Sequence, residues 1–97
     1  MYMDSKTILR KIKDNRNYLK EKKVKKIGLF GSYLKGKQKK SSDIDLIVEF
    51  KEITFKDYMG LLYLLQKIFN KKVDLVIEKN LKPELNYVKK EAEYVKI

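Results

Sequence analysis

The sequence predicts an α/β fold: a small mixed sheet of three or more strands flanked by helices, in the order αβ(α)βαβα. Three observations point there. Short apolar runs at Val24 to Phe30, Asp43 to Phe50 and Val73 to Ile77 are bounded by turn-forming or charged residues. Between the last two, Phe55 to Phe69 carries apolar residues at helical spacing over a face so wide that it implies burial against a sheet. Helical stripes also stand near both ends of the chain, and no linker or internal repeat divides the 97 residues, so 1–97 reads as a single domain.

Each element has its own local reason. Asp4 or Ser5 can cap a first helix whose stripe is Ile8, Ile12 and Leu19, with Leu9 beside them, ending near Lys22. The β-leaning run from Val24 stops at Gly31, and a short helix over Ser32 to Lys35 is closed by Gly36. KGKQKKSS is too polar for anything but a loop. From Asp43 to Phe50 the chain alternates: Ile44, Leu46, Val48 and Phe50 face one side, and Asp43, Asp45, Ile47 and Glu49 the other. In the following helix, Phe55, Met59, Leu62, Leu65 and Phe69 make the expected inner face, widened by Leu61, Leu64 and Ile68. Val73 to Ile77 reads as a third strand, apolar except for one buried-looking acid, Asp74. From Pro83 onward, Leu85, Val88, Ala92 and Val95 repeat at helical spacing, which predicts a closing helix with Tyr87 and Tyr94 on one side.

Composition narrows the chemistry. The chain has no cysteine and no histidine, which excludes disulfide scaffolds, thiol nucleophiles, histidine bases and the usual zinc sets. Carboxylates with hard, oxygen-loving cations such as Mg²⁺ remain. The N-terminal stretch lacks a signal-peptide core, and no run approaches the ~18 apolar residues of a membrane span, so a cytoplasmic location without membrane contact is expected. The net charge of +11 invites a nucleic-acid reading. Its lysines are scattered through every segment, however, and Arg10 and Arg16 are the sole arginines, so direct action on nucleic acid is not the expected role.

Asp43 and Asp45 lie two apart on an alternating strand, so they share a face with α-carbons about 6.5 Å apart. Alone, such a pair is more often a solvent face than a metal site. It also suits a pair of Mg²⁺ ions about 3.5 to 4 Å apart, the arrangement that steadies attacking and leaving oxygens in phosphoryl-type transfer. Asp74, on a strand expected beside this pair, either completes the set or faces water from an edge. Gly31 and Ser32 open a helix after a strand, where free N–H groups and the serine hydroxyl can receive phosphate, and Lys35 one turn later can reach the triphosphate as a point charge. By itself Gly-Ser is usually a turn, and Lys37, Lys39 and Lys40 are most simply a solvated loop.

Taken together and in order, these parts resemble a known signature. Gly31-Ser32, ten intervening residues and Asp43-Ile44-Asp45 look like the polymerase-β-like nucleotidyltransferase superfamily, and GSYLKG followed by SDIDLIV resembles its minimal nucleotidyltransferase (MNT) domains. The closing LKPELNYVKKEAEYV is similar to the tail of MNT antitoxins. The resemblance implies a nucleotidyltransferase fold in which Asp43, Asp45 and Asp74 bind two Mg²⁺ ions, Asp74 helps to activate the acceptor, and Gly31 and Ser32 hold the phosphates of ATP. Lys35 stands where relatives commonly carry arginine, so a bidentate contact there is not carried over. It further implies a HEPN-domain ribonuclease toxin as partner, silenced by AMP transfer to a tyrosine, with the chain as antitoxin of a type VII pair. Neutralisation by binding alone, with the aspartates as an acidic docking patch, and nucleotidyl transfer to a small molecule or an RNA end are the alternatives.

Overall fold

The computed structural model describes residues 3–97. Asp4 caps the first helix by accepting a hydrogen bond from the Thr7 N–H at 2.9 Å. The expected single helix is two, α1 (Ser5–Asp14) and α2 (Arg16–Glu21). The break is at Asn15, whose side-chain amide donates to the Lys11 carbonyl at 2.8 Å, so a side chain competes with the helical ladder. Ile8, Ile12 and Leu19 remain one buried row across the break.

β1 (Val24–Phe30), the short α3 (Gly31–Lys35) and β2 (Ile44–Phe50) follow. α4 (Phe55–Phe69) starts where Thr54 accepts from the Asp57 N–H and ends at Asn70 in the left-handed region, and β3 is Val73–Ile77. The closing segment departs from the expected helix. A 3₁₀ turn at Pro83–Leu85 leads to a single short helix, α5 (Tyr87–Glu91), and then to a strand, β4 (Glu93–Lys96). Ladder bonds to the free edge of β1 outweigh the helical spacing there, putting Val95 opposite Ile27 and Tyr94 opposite Gly28.

The sheet order is β3-β2-β1-β4, with β2 antiparallel to β1 and parallel to β3. This mixed sheet flanked by helices is the fold class expected. One face carries Ile27, Leu29, Ile44, Leu46, Val48, Val73, Leu75 and Val95, all buried against Ile8, Ile12, Leu19, Leu61, Leu65 and Phe69. The inner stripe of α4 is therefore Leu61, Leu65 and Phe69. Phe55 and Met59, expected inside, are 80% and 43% exposed, because the first turns of the helix present that side to solvent. The opposite face of the sheet is mixed: Asp45, Ile47 and Glu49 on β2, Lys26 and Gly28 on β1, Asp74 on β3 and Tyr94 on β4. No helix among the described residues is long and apolar enough to cross a membrane.

Candidate active site

The register brings the sequence's candidate residues to one end of the sheet. Because β2 runs antiparallel to β1 and parallel to β3, the end of β1 meets the starts of the other two. Phe30 pairs with Asp45, and Asp45 pairs with Asp74. Residues paired across a parallel ladder point the same way, so the two carboxylates share a face at adjacent strand positions. Asp43 lies just ahead of β2, exposed, rather than inside the strand as expected. The loop before it is anchored by Lys71, whose ammonium donates to the carbonyls of Lys40 and Ser42 at 3.0 and 3.1 Å. Asp74 is exposed, not buried, because β3 is an edge strand.

Electrostatics report the same convergence. The Asp45 carboxyl is pushed above the ordinary carboxylate range first by burial, then by the negative charges of Asp74 and Asp43. Among the described residues, none of the three aspartates takes part in an ion pair. No three acidic side chains among them are gathered tightly enough to enclose an ion unaided. The site is thus an uncompensated concentration of carboxylate on a chain of net charge +11.

Gly31 has a second reason to be glycine. Its φ is +76°, and a β-carbon there would collide with the Asp45 carboxylate. The turn after β1 and the central carboxylate are therefore built against each other. Ser32 follows, half-buried, in the first turn of α3. Lys35, at the last position of α3, stands 3.8 Å from Glu91 of α5 in an exposed ion pair, so its ammonium has a partner on the closing segment.

Several neighbours escaped the sequence reading. Tyr58 of α4 donates its hydroxyl to the Leu75 carbonyl at 2.7 Å; burial raises its pKa, and the charge of Asp74 raises it further. Gln66, two turns on, accepts from the Val73 N–H at 3.2 Å. On the site face, Tyr94 lies over Gly28 beside Ile47 and donates to Glu78 at 3.0 Å. Lys26 sits 4.3 Å from the Tyr94 ring centre and 3.6 Å from Glu78. Burial, and then the bond to Glu78, push the Tyr94 phenol far above its usual value. Only a polar residue among apolar neighbours could have flagged Tyr58 or Gln66, and that pattern is common on helices. A cavity of about 760 Å³ between α1, α4 and the lysine loop is lined by Lys11, Tyr33, Lys39, Lys40 and Lys71 but by none of the three aspartates.

Residues 9–97 match the family model described as a nucleotidyltransferase domain. The chain belongs to the nucleotidyltransferase family. A candidate protein adenylyltransferase of Methanocaldococcus jannaschii is 47% identical over 92 residues, spanning 91% of this chain and 87% of that one. Among solved structures, a candidate minimal nucleotidyltransferase superposes with a TM-score of 0.82 at 30% identity, covering 95% of this chain and 96% of its own. A toxin–antitoxin structure determined with AMP-PNP matches at a TM-score of 0.67 and 26% identity, over 95% of this chain and 72% of that one. The complex of a tri-AMPylated Shewanella oneidensis HEPN toxin with its MNT antitoxin shares the fold, at a TM-score of 0.56 and 23% identity over 80% and 61%. The mixed sheet described above is thus the fold shared with these relatives.

Proposed function

We propose that this nucleotidyltransferase is a Mg²⁺-dependent protein adenylyltransferase that moves AMP from ATP to a tyrosine of a HEPN-domain toxin, acting in the cytoplasm as the antitoxin of a type VII pair. The observation that carries it is the register that sets Asp45 opposite Asp74, one residue from the Gly31 turn, in a family whose relatives include candidate protein adenylyltransferases. The AMP-PNP complex and the AMPylated toxin among the structural matches supply the nucleotide and the class of acceptor.

The donor set suits Mg²⁺. The ion is a hard cation that usually takes one or two carboxylates and completes its shell with substrate phosphates and water, so an open group of aspartates fits it better than a closed cage would. Asp43, Asp45 and Asp74 would hold two such ions, and the Asp45 carboxyl, raised first by burial and then by the charges of Asp74 and Asp43, is one whose ionised form a cation would favour. When bound, the metal supplies charge neutralisation on the phosphates. The protein's own residues do the rest. Gly31 and Ser32 grip the triphosphate at the turn, and Lys35 contributes a mobile positive charge if it leaves Glu91. Asp74 orients the acceptor hydroxyl and takes its proton. The tyrosine oxygen bonds to the α-phosphorus as the bond to the bridging oxygen breaks, and pyrophosphate departs.

The experiment is transfer of label from α-labelled ATP to the HEPN partner. Wild type should label it, and the Asp43→Ala/Asp45→Ala double variant should bind the partner normally but leave it unlabelled. Neutralisation by the wild type without label would establish the binding-only reading. Label appearing on RNA ends or a small molecule instead would move the acceptor class.

A further inference from the structure

We infer that α4 is a positioning element for the third carboxylate: Tyr58 and Gln66 clamp the two backbone groups that flank Asp74 on the free edge of the sheet. The inference rests on the proposed role of Asp74 and asks what holds it in place.

In the parallel ladder the Ile44 N–H donates to the Lys72 carbonyl at 3.1 Å. By alternation, the amide groups of residues 72, 74 and 76 face β2, and those of Val73 and Leu75 face away. Among the described residues β3 has no strand on its outer side, so these groups have no ladder partner there. Gln66 accepts from the Val73 N–H, and the Tyr58 hydroxyl donates to the Leu75 carbonyl. The residue between them is Asp74.

A carboxylate on an edge strand held from one side only shifts with every excursion of that strand, whereas shared metal ligation tolerates errors of only about 0.5 Å. Two side chains from a helix rooted in the core by Leu61, Leu65 and Phe69 supply the missing side. Simple blunting of a sticky edge is the competing explanation. It predicts aggregation and lowered stability with unchanged chemistry in what stays folded, which makes it separable.

The test uses Tyr58→Phe, which keeps the packed ring and removes the hydroxyl, together with Gln66→Met, the double variant, and Gln66→Glu, which keeps an acceptor oxygen. Amide exchange at Val73 should quicken in Gln66→Met and slow again in Gln66→Glu. Calorimetric binding of Mn²⁺ in the presence of AMP-PNP should weaken about tenfold in the double variant, as is usual when ligand supports are removed. For AMP transfer to the HEPN partner, each single variant should lose about tenfold in kcat with the KM for ATP held within about twofold. Gln66→Glu should recover most of that loss. Folded variants that keep both wild-type Mn²⁺ affinity and wild-type kcat overturn the inference, as does a wild type that binds no Mn²⁺. A wild type that binds Mn²⁺ but transfers no AMP counts against the adenylyltransferase reading alone. The metal and exchange measurements then still decide the clamp.

Discussion

The two faces of one strand, β2, do different work. On its core side Ile44, Leu46 and Val48 are fully buried against helices, whereas on the other side Asp45 and Glu49 are half-buried around a single buried apolar residue, Ile47. The core face gains from every atom removed from water. The site face carries like charges whose mutual repulsion the fold must tolerate. A period of two residues thus separates the buried core face from the proposed site face along seven positions of chain.

The sharpest way to break that contrast is to change neighbours on opposite faces. Asp45→Asn should lower AMP transfer by about 10³-fold if Asp45 is the metal ligand proposed above, since losing such a ligand forfeits several kcal/mol of transition-state stabilisation. It should also raise the thermal midpoint in metal-free buffer at neutral pH. The sign follows from the raised folded-state pKa. Below the ordinary value of 3.8 both states are protonated and nothing is lost; as pH climbs from there through the folded value the ionised group increasingly penalises the fold, and above it the penalty is complete. Scanning calorimetry with and without Mg²⁺ across that range checks it, and a lowered midpoint in the variant would contradict a carboxyl held above its ordinary range by burial and then by its acidic neighbours. Leu46→Ala should do the reverse. It should cost about 2 to 5 kcal/mol in urea titrations, while the folded fraction keeps its kcat.

Gly31→Ala tests the seam between turn and carboxylate. A left-handed conformation costs an L-residue about 1 to 2 kcal/mol, and the added methyl displaces the Asp45 side chain, so stability and transfer should fall together. Loss of only one of them would show that turn and carboxylate are not coupled. The smallest expected effect on transfer is that of Tyr94→Phe, which should cost about 1.5 to 3 kcal/mol of stability for one neutral-to-charged hydrogen bond while leaving Glu78 beside Lys26. An equilibrium denaturation curve reads it, and transfer should hardly change.

What the sequence made legible follows the reach of its signals. β1, α4 and β3 have the expected bounds because periodicity and the breakers Gly31 and Asn70 act locally. Gly31, Asp43 and Asp45 could be singled out for the same reason: their spacing is written in one stretch. The pairing of Asp45 with Asp74 was not, since register depends on how β2 and β3 align across an intervening helix. The closing segment departs from the expected helix because Leu85, Val88, Ala92 and Val95 satisfy a helical spacing, while the bonds that make a strand of Glu93–Lys96 belong to β1, far away in sequence. Tyr58 and Gln66 carry only the common mark of a polar residue among apolar neighbours, because their partners are backbone groups of another element.

That distant pairing of β1 with β4 shapes the order of assembly. β1 and β2 are joined by a short segment and can zip early, whereas residues 93–96 must be brought back from far along the chain, and until they arrive β1 offers an unpaired edge with the ladder groups of Ile27 and Leu29 bare. A folding intermediate that lacks β4 is therefore the species most open to mispairing with other chains.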